Sequence, residues 1–140
     1  MAKNKLGLLD SSVVMALFNL EDRQHGRAIG LFKKLDKERW RLVMSAVAVV
    51  EMVSLIKYRR LENWKRYAKR LVNEKLFKID SGYEFDPDGL AWKLVMEEEN
   101  IGMVDAVEIE HCLNSGEELL TFDKKQEEVW RGLRKRLKVK

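Results

Sequence analysis

Short apolar runs alternate along the chain with longer stretches in which apolar residues recur at helical spacing. The first run, Leu6–Leu9, stops at Asp10 and two serines, which is the pattern of a buried strand that leads into a capped helix. Runs of similar character predict strands at residues 40–45, 76–80 and 118–122, and a last short strand at 137–139. Between them, the helical spacing predicts helices at 13–20, 28–35, 46–58, 61–72, 86 to about 100, 105 to about 116 and from 124 onward. The fifth helix is predicted to begin at Asp86 and Pro87, an acidic cap followed by proline.

Strands that alternate with helices predict an α/β fold. The expected architecture is a three-layer α/β/α domain with a mostly parallel central sheet of four to five strands. A chain of 140 residues with 46% hydrophobic content suits one domain over residues 1–140, with a core large enough to fold without disulfides. Ligands of such sheets bind outside the carboxyl ends of the strands. We therefore expect the chemistry of this chain at that edge.

Four acids stand in apolar surroundings where an acid is out of place. Two directly follow predicted strands, one follows Ile101-Gly102-Met103-Val104, and one lies inside the apolar stretch 42–56. Ionised carboxylates in an apolar fold cost free energy, and a hard divalent cation compensates several of them at once. The sequence predicts a site for one or two Mg²⁺ or Mn²⁺ ions, suited to phosphodiester hydrolysis. The predicted ligands are Asp10, Glu51, Asp105 and Asp123.

Each of these acids also has a structural interpretation. Asp10 and Asp123 precede helices and are suited to cap them. Glu51 can occupy a solvent-facing position of its helix, and Asp105 can stabilise a helix N-terminus electrostatically. For each acid taken singly these roles stay open, and it is the number and order of the acids that favour a shared site.

The net charge of +4 is small, but the basic residues are unevenly distributed. Residues 57–75 include eight basic side chains and two acids, and the tail after Glu128 has six basic side chains and no acid. Such faces attract backbone phosphates, although a basic face is as often only a solvated surface. The residues predicted to contact RNA are Arg59, Arg60, Lys65, Arg66, Lys69 and Arg70.

The cysteine and the histidines indicate no other chemistry. Cys112 has no second cysteine to pair with and is expected in the core. Neither His25 nor His111 has a neighbour that would complete a catalytic pair or a zinc site. No stretch resembles a signal peptide or a membrane span, so we expect a cytoplasmic protein that does not bind membranes.

The four acids lie in motifs that share their order and spacing with a known family. The motifs are Leu8-Leu9-Asp10-Ser11-Ser12, Ser45 followed six residues later by Glu51, Val104-Asp105-Ala106, and Leu120-Thr121-Phe122-Asp123. Over nearly its whole length the chain resembles PIN-domain ribonucleases, especially the VapC-like toxins of bacterial and archaeal toxin–antitoxin pairs.

The resemblance implies that the four acids are catalytic metal ligands, and that Ser12 and Thr121 assist them through hydrogen bonds or a metal-bound water. Glu108 departs from the family pattern. It follows Asp105 by one helical turn, and a solvated side chain is preferred for it over an additional acid of the site.

The resemblance also implies a homodimer and a small antitoxin protein whose tail occupies the acidic groove. The first two predicted helices carry apolar residues that are candidates for such contacts, although burial within the monomer is the simpler expectation. These residues are Phe18, Leu20, Phe32 and Leu35.

The predicted function is that of a metal-dependent endoribonuclease that hydrolyses RNA phosphodiester bonds, as the toxin of a toxin–antitoxin pair. Three alternatives stay open. They are a housekeeping RNA-processing PIN nuclease, a non-catalytic PIN-fold module that binds RNA or protein, and a hydrolase of free nucleotides, which needs no basic face.

Overall fold

The strands and helices alternate as the sequence predicts. The computed structural model describes residues 5–59, 63–82 and 86–138. Its elements are β1 (Leu6–Leu9), α1 (Ser11–Phe18), α2 (His25–Lys37), β2 (Arg41–Ser45), α3 (Ala46–Tyr58), α4 (Trp64–Val72), β3 (Lys78–Asp80), α5 (Leu90–Glu97), α6 (Met103–Ser115), β4 (Glu118–Leu120) and α7 (Lys124–Lys138). The strands form one sheet in the order β3-β2-β1-β4, and every pairing in it is parallel.

Side chains that alternate across the sheet create two cores, one on each face. Successive residues of a strand face opposite sides, so Leu8 and Leu9 belong to different cores. Leu9 packs with buried residues of α1, α3 and α4, whereas Leu8 packs with α5, α6 and α7. The predicted three-layer α/β/α fold with a parallel sheet is confirmed. None of the helices in the described part of the chain is long and apolar enough to cross a membrane.

The connections between strands place a crevice between β1 and β4. β2 and β3 lie on one side of β1, and β4 lies on the other. The strand order therefore reverses at β1, and in parallel sheets such a reversal opens a ligand-binding crevice at the carboxyl ends of the strands. In this chain those ends are Leu9 and Leu120.

The predicted last strand is wrong. Leu137 and Lys138 belong to α7, which continues as a helix to the end of the described residues. One face of α7, up to Leu133, packs into the second core, and the helix continues beyond that contact. An ion pair from Arg134 to Glu118, with 2.6 Å between nitrogen and oxygen, also ties the later part of α7 to β4.

The predicted start of the fifth helix is also wrong. Asp86 and Pro87 lie in a turn before α5, where the Asp86 side chain accepts a hydrogen bond from the Asp88 amide at 2.9 Å. A free backbone amide in the first turn of α5 finds its acceptor on another helix instead. The Ala91 amide donates to the Glu110 side chain of α6 at 2.9 Å. A cap supplied by another helix leaves no signal in the local sequence.

The apolar residues of the first two helices are only partly covered. Phe18 and Leu35 are buried and Phe32 is half-buried, as expected for residues of a core. Leu20 is an exception, because α1 ends at Phe18 and leaves the Leu20 side chain 78% exposed. The expectation that all four are buried is wrong for Leu20.

Cys112 and the two histidines have the structural positions that the sequence predicts, and none of them joins the group of acids. Cys112 is buried in the second core. His25 bonds the Ala16 carbonyl oxygen at 2.8 Å, and His111 bonds Glu117 at 3.0 Å.

Candidate metal centre

Asp10 lies at the end of β1, deep in the crevice. Its backbone amide donates to the Leu120 carbonyl at 2.9 Å, which extends the pairing of β1 and β4 by one residue. Its side chain is 3% exposed. Carboxylate Oδ2 accepts hydrogen bonds from the Ser12 amide at 3.1 Å and from the Thr121 hydroxyl at 3.2 Å. Carboxylate Oδ1 is buried with no hydrogen-bond donor among the described residues.

Asp10 shares the crevice with two acids of α6. One carboxylate oxygen from each of Asp10, Asp105 and Glu108 lies within 4.8 Å of those of the other two. Glu108 is completely buried, and neither of its oxygens has a donor in the described part of the chain. The solvated side chain expected for Glu108 is therefore wrong. One feature of the sequence indicates that Glu108 belongs to the site. It follows Asp105 by three residues, and this spacing places both side chains on one side of α6.

Glu51 and Asp123 lie at the rim of this group. Glu51 of α3 is half-buried, and the negative charge of Asp10 is close enough to act on it. Asp123 is half-buried and caps α7, since its Oδ1 accepts from the amides of Lys125 and Gln126 at 2.9 and 3.2 Å. Neither completes a second close group of three metal-binding side chains among the described residues. The four predicted acids are thus brought together, with Asp10 and Asp105 at the centre.

Burial and mutual repulsion raise the pKa of acids in this region. The pKa of Asp105 rises from its ordinary value of 3.8 to about 7, through burial first and then through the charges of Asp10, Asp123 and Glu51. Burial, followed by the charge of Asp10, also raises the pKa of Glu51. The same two causes raise the pKa of Glu108 well above its ordinary range. The acids act on one another as a single electrostatic group.

The donor set fits a hard divalent cation. Carboxylate oxygens are the ligands that Mg²⁺ and Mn²⁺ prefer. Asp10 Oδ1 and both oxygens of Glu108 are buried without a donor, and no ion pair in the described residues neutralises Asp10, Asp105 or Glu108. A bound cation would neutralise the negative charge of these buried oxygens.

Ser12 and Thr121 hold the acids in place through a network across the β1–β4 junction. The Thr121 hydroxyl donates to Asp10, lies 3.3 Å from the Ser12 hydroxyl and accepts from the Asp123 amide at 3.0 Å. The Ser12 hydroxyl in turn accepts from the Phe122 amide at 3.0 Å. Thr121 therefore connects Asp10 with the start of α7.

Gln126 is a residue of this region that no sequence motif indicates. Its side chain is completely buried and donates from Nε2 to the carbonyl oxygen of Asp105 at 3.3 Å. This contact joins α7 to the first turn of α6, so it fixes the position of Asp105 relative to Asp123.

The Thr121→Val substitution is expected to destabilise the protein by about 1–3 kcal/mol, because the Asp123 amide and Asp10 each lose a hydrogen bond in a buried site while the side chain keeps its shape. Urea unfolding with a constant m-value would measure this. Ser54→Ala is the control, since the Ser54 hydroxyl is exposed and bonds only within α3. Equal stability of the Thr121→Val and Ser54→Ala proteins would contradict the prediction.

The basic residues predicted to contact RNA lie on the surface. Arg59, Lys65, Arg66, Lys69 and Arg70 are exposed on α4 and at the end of α3, and Arg60 lies outside the described residues. The guanidinium group of Arg70 lies over the Phe18 ring at 4.7 Å. Phe18 is eight residues beyond Asp10 along α1, roughly 12 Å at the rise of a helix. This face is thus set back from the acids.

Arg27 is a basic residue that the sequence did not indicate and that contacts the neighbour of an acid in the chain. It is exposed on α2, and its guanidinium carbon lies 4.3 Å from the centre of the Phe122 ring. Phe122 stands between Thr121 and Asp123, so Arg27 packs on a residue that adjoins two residues of the site. A guanidinium stacked on a ring keeps its N–H groups available for a phosphate.

Comparisons with known proteins point to one family. The family model of the PIN domain matches residues 7–131. The crystal structure of VapC20 from Mycobacterium tuberculosis, a sarcin-ricin loop cleaving toxin, has a similar fold with a TM-score of 0.69. The match covers 88% of this chain and 94% of that one at 20% sequence identity. None of the curated proteins matches the chain.

Proposed function

The chain belongs to the PIN domain family, and from this premise we propose that it is a metal-dependent endoribonuclease that hydrolyses RNA phosphodiester bonds. We propose further that it is the toxin of a toxin–antitoxin pair, as its fold relative VapC20 is a toxin. One observation carries the proposal above all. It is the group of buried acids, with oxygens that have no donor in the described residues, at the carboxyl ends of β1 and β4.

The proposed metal ligands are Asp10, Glu51, Asp105 and Asp123, for Mg²⁺ or Mn²⁺. A divalent cation held there would supply Lewis-acid activation of the phosphodiester and of the attacking water. Thr121 and Ser12 keep the Asp10 carboxylate in one orientation, because the Thr121 hydroxyl and the Ser12 amide both donate to its Oδ2 and leave Oδ1 without a donor among the described residues. No serine, cysteine or histidine is assigned as a nucleophile or base.

RNA is proposed to approach across two basic regions. Arg27, which packs on Phe122 next to Asp123, would hold a phosphate close to the acids, and the exposed residues of α4 would hold the backbone further along. Positive groups at the entrance also offset the repulsion between an acidic crevice and a polyanion. A hydrolase of free nucleotides would not need the exposed basic residues of α4.

The Arg27→Ala substitution is expected to raise KM for RNA about tenfold and to change kcat by less than about threefold, because it removes one charged hydrogen bond to a phosphate. Steady-state cleavage of a fluorescent oligoribonucleotide would measure both constants. Arg23→Ala is the matched control, because Arg23 is exposed in the connection between α1 and α2. Identical KM values for the two variants would count against a role for Arg27.

The proposed function is tested by incubating the protein with single-stranded and stem-loop RNAs, with Mg²⁺ or Mn²⁺ and with chelator. We expect cleavage that needs the metal and disappears in Asp10→Asn protein of intact fold. Equal cleavage by wild type and variant would refute the proposal. Salt-sensitive RNA binding without cleavage under any divalent metal would favour a non-catalytic module.

The proposed partners are a second copy of the chain and a small antitoxin protein, in the cytoplasm. Val47, Val50 and Met96 are exposed apolar residues on α3 and α5 that a homodimer would cover. A groove of about 260 Å³ next to Phe18 and Leu20 offers apolar surface to an antitoxin. Light scattering would give the oligomeric state. Co-purification with the product of a short neighbouring reading frame would separate a toxin from a housekeeping nuclease.

A further inference from the structure

We propose that Glu108 is itself a metal ligand, and that Asp10, Asp105 and Glu108 form the innermost binding site for the divalent cation. The inference rests on the proposed metal-dependent function and deepens it. Family resemblance implies a different set, in which Glu51 and Asp123 complete the ligands of Asp10 and Asp105. In this chain the geometry assigns these two acids to the rim.

The position of Glu108 supports a ligand role. Its carboxylate has an oxygen within 4.8 Å of oxygens from Asp10 and Asp105, whereas Glu51 and Asp123 complete no such group among the described residues. Glu108 is completely buried, so water does not reach its oxygens. Helical spacing puts it on the side of α6 that carries Asp105, facing the end of β1.

The Glu108 side chain has neither a hydrogen-bond donor nor a basic partner among the described residues. Asp123, by contrast, uses one oxygen to cap α7. Three carboxylates would also leave part of an octahedral shell for water and the phosphate of a substrate, as Mg²⁺ sites usually do.

A different role for Glu108 is that of a neutral acid that donates a hydrogen bond to Asp10, which lies within its reach. The two roles respond differently to one substitution. Glu108→Gln keeps a hydrogen-bond donor of the same size and removes the negative charge. A neutral donor is therefore preserved in this variant, whereas an anionic ligand is lost.

The test is Mn²⁺ affinity, measured by the electron paramagnetic resonance signal of free Mn²⁺ during titration of the full chain without RNA. We expect Glu108→Gln to weaken binding at least about tenfold, as Asp105→Asn does, and Glu51→Gln to weaken it by a smaller factor. Glu128→Gln, on the exposed side of α7, is the matched control and should bind like wild type.

A second measurement counts ligands directly. The luminescence lifetime of bound Tb³⁺ in H₂O and D₂O gives the number of coordinated waters, which should rise by about one or two in Glu108→Gln. Circular dichroism would check that the variant is folded. If Glu108→Gln fails to fold, Glu108→Met, which has similar length and no oxygen, takes its place.

The outcomes separate this inference from the proposed function. Unchanged Mn²⁺ affinity and water count in the folded variant, with wild type binding Mn²⁺ and cleaving RNA, would overturn the role of Glu108 alone. A larger loss in Glu51→Gln than in Glu108→Gln would overturn it too. Wild type that binds no Mn²⁺ and cleaves no RNA would overturn both proposals together.

Discussion

Asp105→Asn is expected to lower metal-dependent RNA cleavage by about 10³-fold, which corresponds to roughly 4 kcal/mol of transition-state stabilisation. Asp105 interacts electrostatically with most of the other acids, because the charges of Asp10, Asp123 and Glu51 all raise its pKa. Asp105 also belongs to the close group with Glu108. Asparagine keeps the shape of the side chain and removes the charge that would hold a cation. Single-turnover cleavage at saturating Mg²⁺ would measure the loss.

The control for Asp105→Asn is the same change at Asp36, which is exposed on α2. Asp36→Asn should leave the cleavage rate unchanged. The Asp105→Asn protein should also be no less stable than wild type in chelator, because it removes repulsion from a crowded group of acids. A variant that is stable and still cleaves at the wild-type rate would show that the metal-binding acids lie elsewhere.

Most of the fold was predictable because its signals are local. The run Leu6–Leu9 is apolar at every position that faces a core, and Asp10 follows with the cap that starts α1. The same logic holds at β2, where Ser45 caps α3 by accepting from the Ala48 amide. The errors fall where distant contacts decide. Glu110 of α6 caps α5, and Trp130 and Leu133 of α7 pack into the second core.

The candidate site was predictable for acids that directly follow strands or start helices, such as Asp10 and Asp105. The solvated Glu108 is a wrong expectation because a position one turn along a helix can face either water or a neighbouring element, and only the contact with the end of β1 decides which. Arg27 was missed because its contact with Phe122 joins residues far apart in the chain. Asp123 has both of the positions considered for it. It caps α7, and its charge acts on Asp105.

The stability of the metal-free protein is expected to fall as the pH rises from about 5 to about 8. Between its ordinary pKa of 3.8 and the pKa of about 7 in the folded protein, Asp105 keeps a proton that it loses on unfolding. Raising the pH through this window therefore removes stability, and the loss from Asp105 is complete by about pH 8. The raised pKa values of Glu51 and Glu108 act in the same direction.

The Tm in chelator should fall by roughly 5 °C or more over that pH range, since one kcal/mol corresponds to about 3 °C in a domain of this size. Mn²⁺ at a hundred times its Kd should restore about 2.7 kcal/mol near pH 8, because the cation takes the place of the protons. Differential scanning calorimetry of wild type and the Asp105→Asn, Glu108→Gln double variant measures both effects. In the double variant the pH slope should flatten and the response to Mn²⁺ should disappear. Parallel pH profiles of the two proteins would mean that burial and mutual repulsion do not raise the pKa values of Asp105 and Glu108 in the folded protein.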